Sequence, residues 1–286
     1  MPVPTDYIFT SAGTCMKNQV YQLIIDQLIS AGWTNISSNS STDYAVLQSA
    51  GNTGDKNLLL NLRPTNTSGV NSVVSTDYNA MSFRLQDTYT PGTSGASGTF
   101  GRPSLAWSNF YIAPTTTLIA GNTPINYKCY VDASKIILGI EYPSSTGYGP
   151  LVFYLGRPDT VYVAESASRG VLVCASAGAT GSGSAQICNT SDDSAAVTAS
   201  YSINTAAFLP FSKNPNGAGK YYTSKICYGS ATESLRGELD GLLCAYNSGL
   251  STGDTIIINS CTYYVLVCAS MSNTSFPSPA LLLRIA

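Results

Sequence analysis

The chain has no histidine in 286 residues, and only 10% of its side chains are charged. The first absence excludes Ser-His-Asp and Cys-His catalysis and the usual histidine-containing zinc sites. Only four glutamates occur, Glu141, Glu165, Glu233 and Glu238, so two-carboxylate chemistry has few starting points. Lys and Arg total 14 against 16 Asp and Glu, a formal net charge of −2. Nucleic-acid binding depends on clustered cations, so none is expected. No apolar run approaches the roughly 20 residues of a membrane span, and no membrane insertion is expected. Met1 to Ser11 carries neither a basic nor an apolar stretch, so no signal peptide is expected. No C-x-x-C pair and no G-x-x-x-x-G-K-[ST] phosphate loop occurs. No cofactor and no metal are expected.

Apolar residues make up 44% of the chain, enough for a substantial core, with 19 Tyr and 25 Gly. Low charge leaves little self-repulsion, so identical neighbours can crowd together. A secreted, Ser/Thr-rich β protein would have the same composition.

One helix is predicted, from Met16 to Ala31. Met16, Val20, Leu23, Ile24 and Leu28 recur at steps of three and four. Thr14 is the expected N-cap and Gly32 the expected stop, with Trp33 folding back. The stripe reads as the cover of a sheet, with a partner groove as the alternative. Period-two strands are then predicted at 34–37, 44–48, 58–63, 81–86, 109–113, 126–131, 136–142 and 151–155. Tyr127–Val131 and Ile136–Ile140 form the clearest hairpin, joined by a tight turn at Asp132-Ala133-Ser134. Tyr89–Pro103 and Ala177–Ala185 read as loops. Val171–Ser176 (VLVCAS) recurs as Val265–Ser270, either a duplicated β unit or a coincidence of two strands. Leu281–Ile285 is the expected last strand, with Pro277 and Pro279 arguing for an exposed bend before it, not a buried ladder. The fold class is mainly β (α+β). An N-terminal helix packed on an antiparallel sheet is expected over 1–158, and a β-sandwich or small β-barrel over 159–286.

Eight cysteines are present. Most read as small buried hydrophobes. Cys15, Cys188 and Cys227 lie outside the strand patterns and are the candidates for disulfides. Arg102, Trp107, Arg157 and Arg236 are the candidate contact residues, since Arg and aromatic side chains anchor protein interfaces. Glu238 and Asp240 lie two apart in the densest charged patch. On a strand they would share a face and could hold a cation or exchange protons, but an exposed turn paired to Arg236 is favoured. Asp192-Asp193, in an oxygen-rich segment, is a weak calcium candidate.

Several segments resemble structural proteins of tailed bacteriophages. They are Ala31-Gly32-Trp33-Thr34, Trp107 to Pro114, Phe153 to Asp159, and the run from Arg236 through Gly253-Asp254 to Leu266. The likeness is spread over most of the chain. It implies a virion component of the neck, tail or baseplate, with no catalytic residues to transfer. The eight cysteines depart from that pattern. The expected function is therefore structural and not enzymatic: a subunit, made in the host cytoplasm, that packs β surfaces into a symmetric oligomer in the virion. Its partners would be copies of itself and other virion proteins. The alternative is a carbohydrate- or receptor-binding fibre or tip module, with exposed Tyr and Trp107 stacking on sugars.

Overall fold

The computed structural model describes residues 7–38, 44–50, 57–64, 76–77, 79–86, 88–100, 108–112, 119–141, 151–156, 169–175, 184–189, 202–204, 221, 223–230, 234–246, 249–267 and 279–286. From the N-terminus these form β1 (Ser11–Met16), a 3-10 turn (Lys17–Gln19), α1 (Val20–Ser30), β2 (Thr34–Asn35), β3 (Ala45–Gln48) and β4 (Leu59–Arg63). Next come β5 (Thr76–Asp77), β6 (Asn79–Gln86), β7 (Tyr89–Thr90), β8 (Thr99–Phe100), β9 (Ser108–Tyr111), β10 (Ile119–Ala120), β11 (Pro124–Val131) and β12 (Ile136–Ile140). The remainder are β13 (Leu151–Gly156), β14 (Arg169–Ala175), β15 (Ser184–Asn189), β16 (Ser202–Asn204), β17 (Thr223–Ser230), β18 (Ser234–Tyr246), β19 (Thr255–Ile258), β20 (Cys261–Val267) and β21 (Pro279–Arg284). Among the described residues the protein is mainly β with one short helix.

Three antiparallel sheets are layered. The front sheet has the order β2-β3-β4-β6-β9, the central sheet β1-β11-β12-β13-β14-β15, and the back sheet β16-β17-β18-β21-β20-β19. The central sheet explains the unbroken apolar runs in the sequence. Ile136, Leu138, Ile140, Phe153 and Leu155 point to the front sheet and α1. Ile137, Val152 and Tyr154 point to the back sheet. A strand covered on both faces has no polar positions to alternate. An added Cβ at Gly139 would lie 2.5 Å from a Leu283 methyl and 2.9 Å from one of Leu266. Glycine there lets the central and back sheets approach closely.

The helix starts later than its periodicity predicts. Residues 11–16 pair with β11, from Ser11 opposite Cys129 to Met16 opposite Pro124. Thr14 is therefore not an N-cap, and its hydroxyl donates to Asn126 Oδ1 at 2.7 Å. Gln19 Oε1 instead accepts the Met16 N–H at 2.8 Å. Val20, Ile24, Ile25 and Leu28 are buried in the front–central core, so the stripe is a core face. Gly32, at φ +94, ends the helix in a left-handed turn. There Gly32 N–H reaches Ile29 O and Trp33 N–H reaches Leu28 O, both at 3.0 Å.

The predicted hairpin is present in the expected register, Tyr127 opposite Ile140 and Val131 opposite Ile136. Its Asp132–Lys135 turn accepts the Trp33 indole N–H on Asp132 O at 3.0 Å. The stretch read as a loop from Tyr89 holds a small β7–β8 hairpin, with the Tyr89 and Phe100 rings 4.9 Å apart. β13 pairs with β14, so the central sheet runs across position 158 and the division at 158/159 does not separate sheets. The sandwich partner of the back sheet is this central sheet. Of the repeated hexapeptide, Val171–Ala175 lies on β14 of the central sheet and Val265–Val267 on β20 of the back sheet.

The last strand corrects the expectation from its prolines. β21 lies between β18 and β20, and Ala280, Leu281, Leu282 and Leu283 are all buried. Pro279 is the first residue of the strand, where a missing N–H interrupts no ladder. Pro277 lies outside the described residues.

Candidate functional site

A polar seam lies between the central and back sheets. β18 makes it possible. Against β17, Lys225 pairs with Leu243 but Ile226 pairs with Leu239, so Asp240, Gly241 and Leu242 bulge out. Gly241 sits at φ +83, a conformation that favours glycine. The bulge turns Asp240 toward the central sheet, while Leu239 and Leu242 still fill the inter-sheet core.

Asp240 meets Lys135 there in an ion pair. Tyr7 donates its hydroxyl to Asp240 Oδ2, and Tyr154 donates to Oδ1. Lys135 Nζ also donates to the Tyr7 hydroxyl at 3.0 Å and lies 4.3 Å from that ring's centroid. The Lys135 side chain is 6% exposed and that of Asp240 20%. The alkyl stem of Lys135 runs beside Gly156, where a Cβ would lie 3.0 Å from two of its carbons. Upstream, Asp132 Oδ1 accepts the Ser134 N–H at 2.7 Å and Oδ2 the Tyr130 hydroxyl at 2.8 Å, which fixes the turn that presents Lys135. The Tyr7 phenol is pushed well above its ordinary value, first by burial and then by its hydrogen bond to Asp240.

A second polar contact spans the same two sheets. Glu141 accepts the Tyr264 hydroxyl on Oε1 and an Asn126 N–H on Oε2 at 3.1 Å. Lys128 Nζ lies 4.7 Å from the centroid of the Tyr264 ring. Burial, then the bond to Glu141, holds the Tyr264 phenol above its usual range.

The structure corrects the reading of Glu238 and Asp240. The patch lies within β18, not in an exposed turn, and the bulge undoes the period of two. Glu238 pairs with Lys225, both about one-third exposed, whereas Asp240 pairs with Lys135. Of Arg236 only the backbone, on β18, is described. Cys15, Cys188 and Cys227 all fall on strands, β1, β15 and β17, although the sequence placed them outside strand patterns. The Cys15 thiol is free, and burial raises it to about 11. The side chains of Cys188 and Cys227 are not described. Arg102, Trp107, Arg157, Asp192 and Asp193 lie outside the described residues. Cys129 and Cys261 are buried free thiols, the buried Cys244 thiol donates to Ser224 O at 3.5 Å, and burial pushes Cys129 to about 12. Among the described residues no group of acidic or cysteine side chains is placed to hold a metal. No described helix is long and apolar enough to cross a membrane.

The raised thiols and phenols set an alkaline limit. Cys15, Cys129 and Tyr21, the last raised to about 12 by burial, hold their protons more tightly folded than unfolded. The folded state then binds the extra protons, so stability is complete below the unfolded values and falls as pH climbs toward the folded ones. The urea midpoint should stay flat up to about pH 9 and fall above it. A midpoint unchanged at about pH 11 would contradict this.

Sequence reasoning missed Lys135, Tyr7 and Tyr154. One signal was present for Tyr154: a tyrosine inside the apolar run Leu151–Leu155 has a hydroxyl that must find a partner when buried. The chain matches no known family model and no curated protein.

Proposed function

We propose that the chain is a structural subunit that works by packing against copies of itself. The observation that carries this reading is the character of two sheet edges that no other described strand pairs with. β1 ends the central sheet and β19 ends the back sheet. Neither Ser11–Met16 nor Thr255–Ile258 contains a charged residue or a proline. Monomeric β proteins usually blunt such edges with lysine, proline or a covering element. Three large apolar side chains are well exposed among the described residues, and two of them lie on these edges: Met16 at 40% and Ile257 at 70%. An edge of one copy laid against a different edge of the next is a head-to-tail contact, which closes into a ring when the rotation allows. The low net charge permits such crowding.

The resemblance of Ala31–Thr34, Phe153–Asp159 and the Arg236–Leu266 run to tailed-phage proteins supports reading this subunit as part of a virion neck, tail or baseplate. The function is geometric, without turnover. Light scattering and negative-stain images of the purified chain test it. Rings or higher oligomers are expected, and Ile257→Lys should shift them to smaller species with the circular dichroism unchanged. A monomer at every accessible concentration, or a monomer that binds glycans, would overturn the reading.

A further inference from the structure

We propose that Lys135 and Asp240 condense into an amide bond that ties the central sheet covalently to the back sheet. The reacting groups are already in contact, and a phenol stands at each oxygen of the carboxyl group. Tyr7 touches both partners: it accepts from Lys135 Nζ and donates to Asp240 Oδ2. It can therefore take a proton from nitrogen while giving its own to oxygen. Tyr154 holds Oδ1, the oxygen that becomes the amide carbonyl, and its hydroxyl faces the negative charge that develops there as nitrogen adds to the carbon.

The step balances without a co-reactant. The Nζ–Cγ bond forms and the Cγ–Oδ2 bond breaks. Of the three protons on the ammonium, two pass to Oδ2, which leaves as water, and one stays on the amide nitrogen. Fixing amine and acid in contact replaces a bimolecular encounter by an intramolecular one. Tyr154, which holds Asp240, belongs to the same apolar inter-sheet core as Phe9, Ile137, Val152, Leu239 and Leu242, and that core opposes the return of water. The 20% exposure of Asp240 leaves a path out for the leaving molecule, while Lys135 stays enclosed. Proton carriage requires Tyr7 to remain a phenol, and burial keeps it so. The ion pair of Lys225 and Glu238 lies more open to water and serves as an internal control.

Intact-mass measurement of the denatured full chain, with tryptic mapping, tests the bond. The expected chain is lighter than its sequence by one water, resists cleavage after Lys135, and yields a branched peptide joining the segments around 135 and 240. Cleavage after Lys225 should be normal. Lys135→Arg should restore the full mass. Asp240→Asn should still give the branch, now with loss of ammonia in place of water. Tyr7→Phe should slow the appearance of the branch. Succinimide formation at Asp240-Gly241 also removes one water but leaves Lys135 cleavable. That result, or a wild-type chain of full mass, would overturn the proposal. Neither outcome depends on the oligomeric state.

Discussion

Phe153→Ala is expected to lower stability by about 3–5 kcal/mol, the usual cost of deleting a buried aromatic ring. Phe153 has no exposed surface and stands on β13 of the central sheet. Its ring meets that of Phe83 edge-on at 5.4 Å and that of Phe110 at 6.0 Å. Both partners belong to the front sheet, so one side chain joins two layers. Deleting it removes its transfer energy and leaves a cavity that two rigid sheets cannot close. Urea denaturation of the variant measures the loss. Ile29→Ala, at a side chain 46% exposed, is the control and should shift stability by about 0.5 kcal/mol or less. A Phe153→Ala cost below about 1 kcal/mol would mean that the layers are held elsewhere.

Asp240→Ala is expected to cost about 3–5 kcal/mol, because it leaves the enclosed Lys135 without its counter-charge and two tyrosine hydroxyls without their acceptor. The sign is the same whether the pair is ionic or condensed, since either link is lost. Glu238→Ala breaks a pair of the same chemistry that is about one-third exposed, and should cost under about 1 kcal/mol. Equal losses for the two variants would show that burial at Asp240 has no energetic weight.

The parts of the fold read correctly from sequence are those set by local pattern. The helix stripe from Val20 to Leu28, the Gly32 stop and the Tyr127–Ile140 hairpin each depend on residues a few positions apart. β1 was hidden for the opposite reason. Ser-Ala-Gly-Thr-Cys-Met has no alternation, and it is a strand because β11, far along the chain, pairs with it. Pro277 and Pro279 misled because they report local backbone preference, and the position of β21 inside the sheet is decided by β18 and β20. The seam was illegible. Its members come from the N-terminal segment, a hairpin turn, a central strand and a bulge, and only the stacking of sheets brings Tyr7, Lys135, Tyr154 and Asp240 together. The bulge also reassigns Asp240 from the Glu238 face, which a count by twos cannot anticipate.

The place of β21 has a consequence for biosynthesis. α1 and the front-sheet strands can assemble while the ribosome is still translating, since all their strands precede residue 112. The back sheet cannot. Residues 279–284 emerge after every other strand yet insert between β18 and β20, and the Phe9 N–H waits for Arg284 O, which it meets at 2.8 Å. Until then β18 and β20 each keep one edge unpaired and a face of the central sheet stays uncovered, a state open to misassociation with neighbouring nascent chains.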